Sequence, residues 1–203
     1  MKLSKFTKGC DDSTLPPGTK AKIYLACTCE VTNEVLRTYA VLRGLTTLPS
    51  GVTLPTVENK LAELATIGEP IAFSGTGNGF TAYDIVIHSG SYTSKTQGEI
   101  QFLAFDSELT FSFAGTDAEV LGFSQMVLNR GLVGLVGDVG GENDYTLFGQ
   151  KDIPAYIMSA DIQSGSKPGD KRMASFKLQD VSGRSLKKYP LATLHPSGLP
   201  IAS

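Results

Sequence analysis

Cys10, Cys27, Cys29, His88 and His195 are all the thiols and imidazoles in this chain. Their chemistry would be metal binding, thiol redox or nucleophilic catalysis. Structural zinc asks for about four such ligands held tetrahedrally. Cys27 and Cys29 supply two, and only the two distant histidines remain to complete the set. The cysteine pair falls in an extended run, where residues two apart share a face. It reads as two reduced, partly buried thiols, and three cysteines cannot all pair within one chain. A nucleophilic triad needs a serine or cysteine beside a histidine that an acid orients. His195 lies in a proline-rich tail, His88 lies on or at the end of a strand in IVIHSGS, and no G-x-S-x-G elbow occurs.

The remaining motifs fail on spacing. Gly75–Gly79 (GTGNG) contains G-x-G, but a dinucleotide fingerprint requires a strand before it, a helix after it and a third glycine. FTAYDIVIHSGSY follows and is β-rich, so a hairpin or loop tip is expected. Gly165–Arg172 (GSKPGDKR) has phosphate-loop residues in the wrong order and no helix after them. Asp138, Glu142 and Asp144 gather near one turn without calcium-loop spacing. Lys167, Lys171 and Arg172 have the chemistry to meet phosphate, but Asp170 sits among them. Inter-subunit salt bridging or solvation is the expected role. A carbohydrate-binding groove would draw on Tyr83, Tyr92, Tyr145 and Tyr156, since tryptophan is absent. No catalytic, cofactor-binding or metal-ligating residue is assigned, no cofactor is expected, and the chain reads as a non-enzyme.

The elements that would position these residues are mostly strands. Ala21–Thr28 alternates, with Ile23, Leu25 and Cys27 on one side and Lys22 and Tyr24 on the other. Val31–Leu42 is ambiguous, Leu48–Pro55 reads as a loop, and Thr56–Ala65 as a short helix. Tyr83–Ile87 is β-prone. Glu99–Phe105 places Ile100 and Phe102 on one face. Glu108–Phe113 places Leu109, Phe111 and Phe113 on one face, with Asp106–Ser107 as the hairpin turn between these two strands. Thr116 and Glu119 form a capping box for a helix over about 116–130. Its apolar faces come from Val120, Leu121, Met126, Val127 and Leu128, and Gly131 takes the left-handed cap. Leu132–Val136 is an apolar strand, Gly140–Gly141 a turn, and Asp144–Phe148 the return. Ala155–Gln163 and Met173–Gln179 are further strands, the last with Ala174, Phe176 and Leu178 on one face.

Composition sets the bounds. The 203 residues suit one domain, and a hydrophobic fraction of 41% suffices for a packed core. With 22 glycines and 10 prolines, many turns are expected; without tryptophan, the aromatic core falls to 10 Phe and 7 Tyr. A net charge of −2 argues against a general nucleic-acid binder. Met1–Gly18 lacks the apolar stretch of a signal peptide, and no segment has the roughly 20 apolar residues of a membrane helix. A soluble protein made in a cytoplasm is expected. The organisation expected is an arm (1–18), a β-rich domain (19–180, with an insertion at about 30–70 left open) and a C-terminal extension (181–203). The fold class is mainly β, an antiparallel β-sandwich or rolled barrel with one flanking helix.

Three segments carry a resemblance: PPGTKAKIYLA, AEVLGFSQMVLNRGLVGLVGDVGGENDYTLFGQKDIPAY and SGSKPGDKRMASFKLQD. In their order and pattern they resemble structural proteins of tailed bacteriophages of Bacteroides-like bacteria, in particular the tail-tube type. The likeness is strongest over about Glu119–Leu178. It implies a virion subunit, made in the host bacterial cytoplasm, that joins sheet edges into a ring, with six-fold symmetry expected. Stacked rings would form a conduit for non-specific passage of DNA, in contact with other virion proteins and no membrane. Alternatives are a neck, capsid-decorating or fibre protein, or a ligand-binding β-sandwich.

Overall fold

A computed structural model describes residues 22–31, 65–68, 70–100, 102–137, 144–167, 170–195 and 200–201. The expected arm, the loop expected over 48–55, all but Ala65 of the helix expected over 56–65, and the Gly140–Gly141 turn lie outside the described residues. Nine strands are described: β1 (Lys22–Cys27), β2 (Thr81–Asp84), β3 (Ser91–Gln97), β4 (Ala104–Ala114), β5 (Leu132–Gly137), β6 (Asp144–Phe148), β7 (Ala155–Gln163), β8 (Met173–Asp180) and β9 (Lys187–Pro190). Helix α1 (Ala118–Val127) follows β4, and the single turn α2 (Leu191–Leu194) follows β9.

The nine strands are bonded in one antiparallel series that divides at a single pair into two layers, as the sandwich expectation requires. One sheet runs β9-β6-β5-β1-β2 and the other β7-β8-β4-β3. They are stitched where Leu132 of β5 pairs with Ala155 of β7. On the far side, Val86 N–H donates to the Ser112 carbonyl of β4 at 2.8 Å. Alternation within each strand fills the space between. Ile23, Leu25, Tyr83 and Val136 face Leu109, Phe111, Phe176 and Leu178 across it. Gly134 permits the closest approach: a Cβ there would lie 3.2 Å from both Leu25 and Leu178.

The first sheet is covered on its outer face too. Ala26, Val133, Leu135, Leu147 and Tyr189 point outward and pack under Ile67, Ile71 and Phe80. This explains the near-continuous apolar run of β5, whose side chains are buried on both faces.

Helix α1 plugs one end of the sandwich. Val120, Phe123 and Val127 are its buried residues. The Phe123 ring meets Tyr83, Phe113 and Phe176 at 5.0, 5.1 and 5.3 Å between centroids, all edge-on. The cap differs from expectation. Asp117 is the N-cap, in extended backbone and without a side-chain cap bond. The left-handed position at the other end belongs to Asn129 (φ 56°), not Gly131. The helix is thus shorter at each end than the 116–130 span, and Leu121 and Leu128 are exposed.

The largest departure lies between β3 and β4. β4 runs unbroken through Asp106–Ser107, so the expected hairpin turn there does not exist. The chain reverses earlier, after Gly98. Ile100 and Phe102, expected on a strand face, sit in that turn. The local β-propensity of EIQFLAF is overridden because Gly98 (φ 109°) ends the strand. Residues 187–190, read from sequence as part of a C-terminal extension, pair as β9 with β6.

Candidate functional site

The groups with chemical potential are dispersed. Cys27 ends β1 and Cys29 lies in the 3-10 turn Thr28–Glu30. They do not share a strand face; the turn brings their Sγ atoms to 2.6 Å, with Cys27 buried and Cys29 exposed. The contact with Cys27 and partial burial raise the Cys29 thiol above its ordinary value. Cys10 lies outside the described residues. His88 occupies a left-handed turn position (φ 62°) after β2. His195 stacks on Tyr189 with Nε2 2.7 Å from its hydroxyl. Among the described residues, no three His, Cys, Asp or Glu side chains gather as a metal site.

The loops satisfy themselves. Asn78 donates to the Ser74 carbonyl, closing the Gly75–Gly79 turn, and β2 follows where a dinucleotide site would need a helix. In the β7–β8 connection, Asp170 Oδ2 accepts from Ser166 N–H, Lys167 N–H and Ser166 Oγ at 2.8, 2.8 and 3.2 Å. Those bonds hold its carboxyl below the usual range. The amides a phosphate would need are spent on this aspartate. Asp138 and Glu142 lie outside the described residues, and Asp144 pairs in register with Pro190. The four tyrosines form no platform. Tyr83 is in the core, Tyr92 packs on Phe148 and accepts from Thr146 Oγ1, Tyr145 meets Tyr24 edge-on, and Tyr156 stands half-buried on β7 in register with Gln179.

What remains is an extended surface, the outer face of β7-β8-β4-β3. Strand register sets it out as rows. Ser91 pairs with Thr110, and Ser112 with Ser175, each hydroxyl pair at 2.9 Å. Lys177 Nζ lies 2.7 Å from Glu108 Oε1. Gln179 Nε2 donates to Asp106 Oδ1 at 2.7 Å, and Gln163 Nε2 to Asp161 Oδ2 at 3.3 Å. Lys95 stands opposite Asp106. Two lysines thus face three carboxylates among hydroxyls and amides, a polar face with a slight acidic excess.

Among the described residues, no strand pairs with the outer edge of β3, or with the outer edge of β7 beyond Ala155. The other sheet differs: Ile67 N–H donates to the Lys188 carbonyl of β9, and Phe80 N–H, just before β2, to the Pro200 carbonyl. Exposed edges are templates for pairing with another chain. A bulge between Ile157 and Ser159 carries β7 past the core, leaving Met158–Gln163 exposed.

Sequence reading reached Met173–Gln179 and Glu108–Phe113 but not Ser91–Gln97. That strand carries one large apolar residue, Tyr92, and no alternating apolar pattern. Its signal is the β-prone Tyr92, Thr93 and Thr96 ahead of Gly98. Set against models of known protein families, curated proteins and solved structures, the chain matches none of them.

Proposed function

We propose that this chain is a non-enzymatic virion subunit of the phage tail-tube type, which self-assembles into stacked rings around a DNA conduit. The observation that carries the reading is the run β7-β8-β4-β3: among the described residues no strand pairs with the outer edge of β3, and β7 meets β5 only at Ala155. The strands of this run alternate in direction and are even in number. A copy rotated about an axis parallel to the strands therefore brings its β7 beside β3 of its neighbour in antiparallel sense, and the alternation continues without a break. The edge strands match in length, seven residues against nine. Closing such a series into a ring leaves no edge exposed.

The polar face supports the same reading. Lined by hydroxyls, amides and a slight excess of acids, a lumen would offer DNA few cations to neutralise its phosphates and little reason to stop. The resemblance in Glu119–Leu178 points the same way. Mass photometry and negative-stain imaging of the purified chain test this. Rings or tubes are expected as concentration rises. A strictly monomeric protein up to high micromolar concentration would sink the proposal, and three-fold particles would point instead to another virion component.

A further inference from the structure

The turn joining β3 to β4 is an apolar protrusion of defined shape. Ile100 is 87% and Phe102 78% exposed, and Leu103, Phe105 and Val181 adjoin them with partial exposure. The turn is not slack. Phe102 N–H donates to the Glu99 carbonyl at 2.8 Å, and Phe105 N–H to the Gly183 carbonyl at 3.0 Å. At Gly98, a Cβ would fall 2.5 Å from the Phe102 carbonyl oxygen, so only glycine fits. The apolar surface displayed is on the order of 500 Å², near the upper limit for a monomeric protein.

The same chain carries a concavity. Beyond its bulge, the inner face of β7 overhangs the C-terminal end of α1. Between them lies a cleft of about 310 Å³ lined by Ser124, Leu128, Met158, Ala160 and Ile162. Leu128 and Met158 are 56% and 58% exposed. The charges are complementary. Glu99 stands on the protrusion, while Ile162 leads into the loop bearing Lys167, Lys171 and Arg172. Asp170, the one acid in that loop, is turned onto Ser166 and Lys167.

The protrusion cannot fill the cleft of its own chain. Register places the protrusion beyond the Ala155 end of β7 and the cleft towards its Gln163 end. That separates them by about eight residues, or roughly 25 Å along the strands. We infer that Ile100 and Phe102 of one copy seat in the α1–β7 cleft of a second copy displaced along the strand direction. Edge pairing runs around a ring; this contact joins one ring to the next. It rests on the self-assembly reading above and names the side chains that carry stacking. Each copy offers one protrusion and one cleft, so the contact is heterologous and propagates.

The test is the double variant Ile100→Ser/Phe102→Ser and, separately, Met158→Asp in the cleft. Both sit at exposed positions, and circular dichroism confirms that each folds. Each is expected to give single rings without tubes, with the stacking midpoint raised roughly thirtyfold or more, the effect of losing a central apolar anchor. An equimolar mixture should stop at paired rings, because only one kind of face remains competent on each. Tubes of wild-type length from either variant would overturn this inference and leave the assembly reading intact. Monomeric variants would overturn the ring-to-ring assignment. A wild-type chain that never associates would remove both.

Discussion

The buried Tyr189 hydroxyl holds two distant stretches of chain at once. It accepts the Ile71 N–H at 3.0 Å, which leaves its own proton for Nε2 of His195, 2.7 Å away. That bond requires a neutral imidazole. Burial lowers the His195 pKa below its ordinary 6.5. The unfolded chain therefore takes up the proton first on acidification. The contribution of this contact is full above about pH 6.5 and is lost as pH falls through the lower folded value. Urea unfolding should show a midpoint falling more steeply between pH 6.5 and 5 in the wild type than in His195→Gln. Equal slopes would remove His195 from the account. Nothing in the local sequence announces this pairing, because Ile71 and Tyr189 lie 118 positions apart. The relation of Cys27 to Cys29 was equally hidden: alternation puts both on one face, whereas a 3-10 turn directs one inward and one out.

At the scale of elements, strands with one buried face were legible and those without were not. Glu108–Phe113 and Met173–Gln179 alternate because one side meets the core, and their register matches Phe111 to Phe176. The turn after Gly98 was misplaced because its apolar residues imitate a strand while covering nothing within the chain. Helix α1 was found, but Phe123, its most heavily packed ring, was not among the apolar residues chosen. Phe123→Ala leaves a hole among Tyr83, Phe113 and Phe176, and should cost about 3–5 kcal/mol. Leu121→Ala, on the exposed face of the same helix, should cost under about 1 kcal/mol. Denaturant melts of the pair check this. Similar losses in both would mean that α1 does not plug the sandwich as described. Gly149 is a second such point: at φ 72°, a Cβ there would lie 2.5 Å from both Leu132 O and Ala155 N, where the two sheets are stitched.

For the whole molecule, the balance of charge on the outer face of β7-β8-β4-β3 is the property with the widest consequence. Asp106, Glu108 and Asp161 offset Lys95 and Lys177. Replacing the three acids with their amides (Asp106→Asn, Glu108→Gln, Asp161→Asn) leaves the lysines unopposed on every copy. Assembled wild-type protein should not retain duplex DNA near physiological salt. The triple variant should retain it and release it as salt rises, since each neutralised phosphate frees counterions. Filter retention across a salt series measures this. Wild-type assemblies that hold DNA as firmly as the variant would contradict the proposed passive lumen.

Alternation and composition, both local properties, determined a β-rich sandwich with one helix and a core of Phe and Tyr. Which apolar residues stay outside was decided only in three dimensions. Burial depends on what another part of the chain can reach. Ile100 and Phe102 read like core residues, yet the turn carries them past the end of the sandwich, where they stand exposed and none of the described residues covers them. The edges of β3 and of β7 beyond Ala155, which no described strand pairs, were decided in the same way. A strand's partners are set by the order of the sheet, and only the folded chain shows which strands come last.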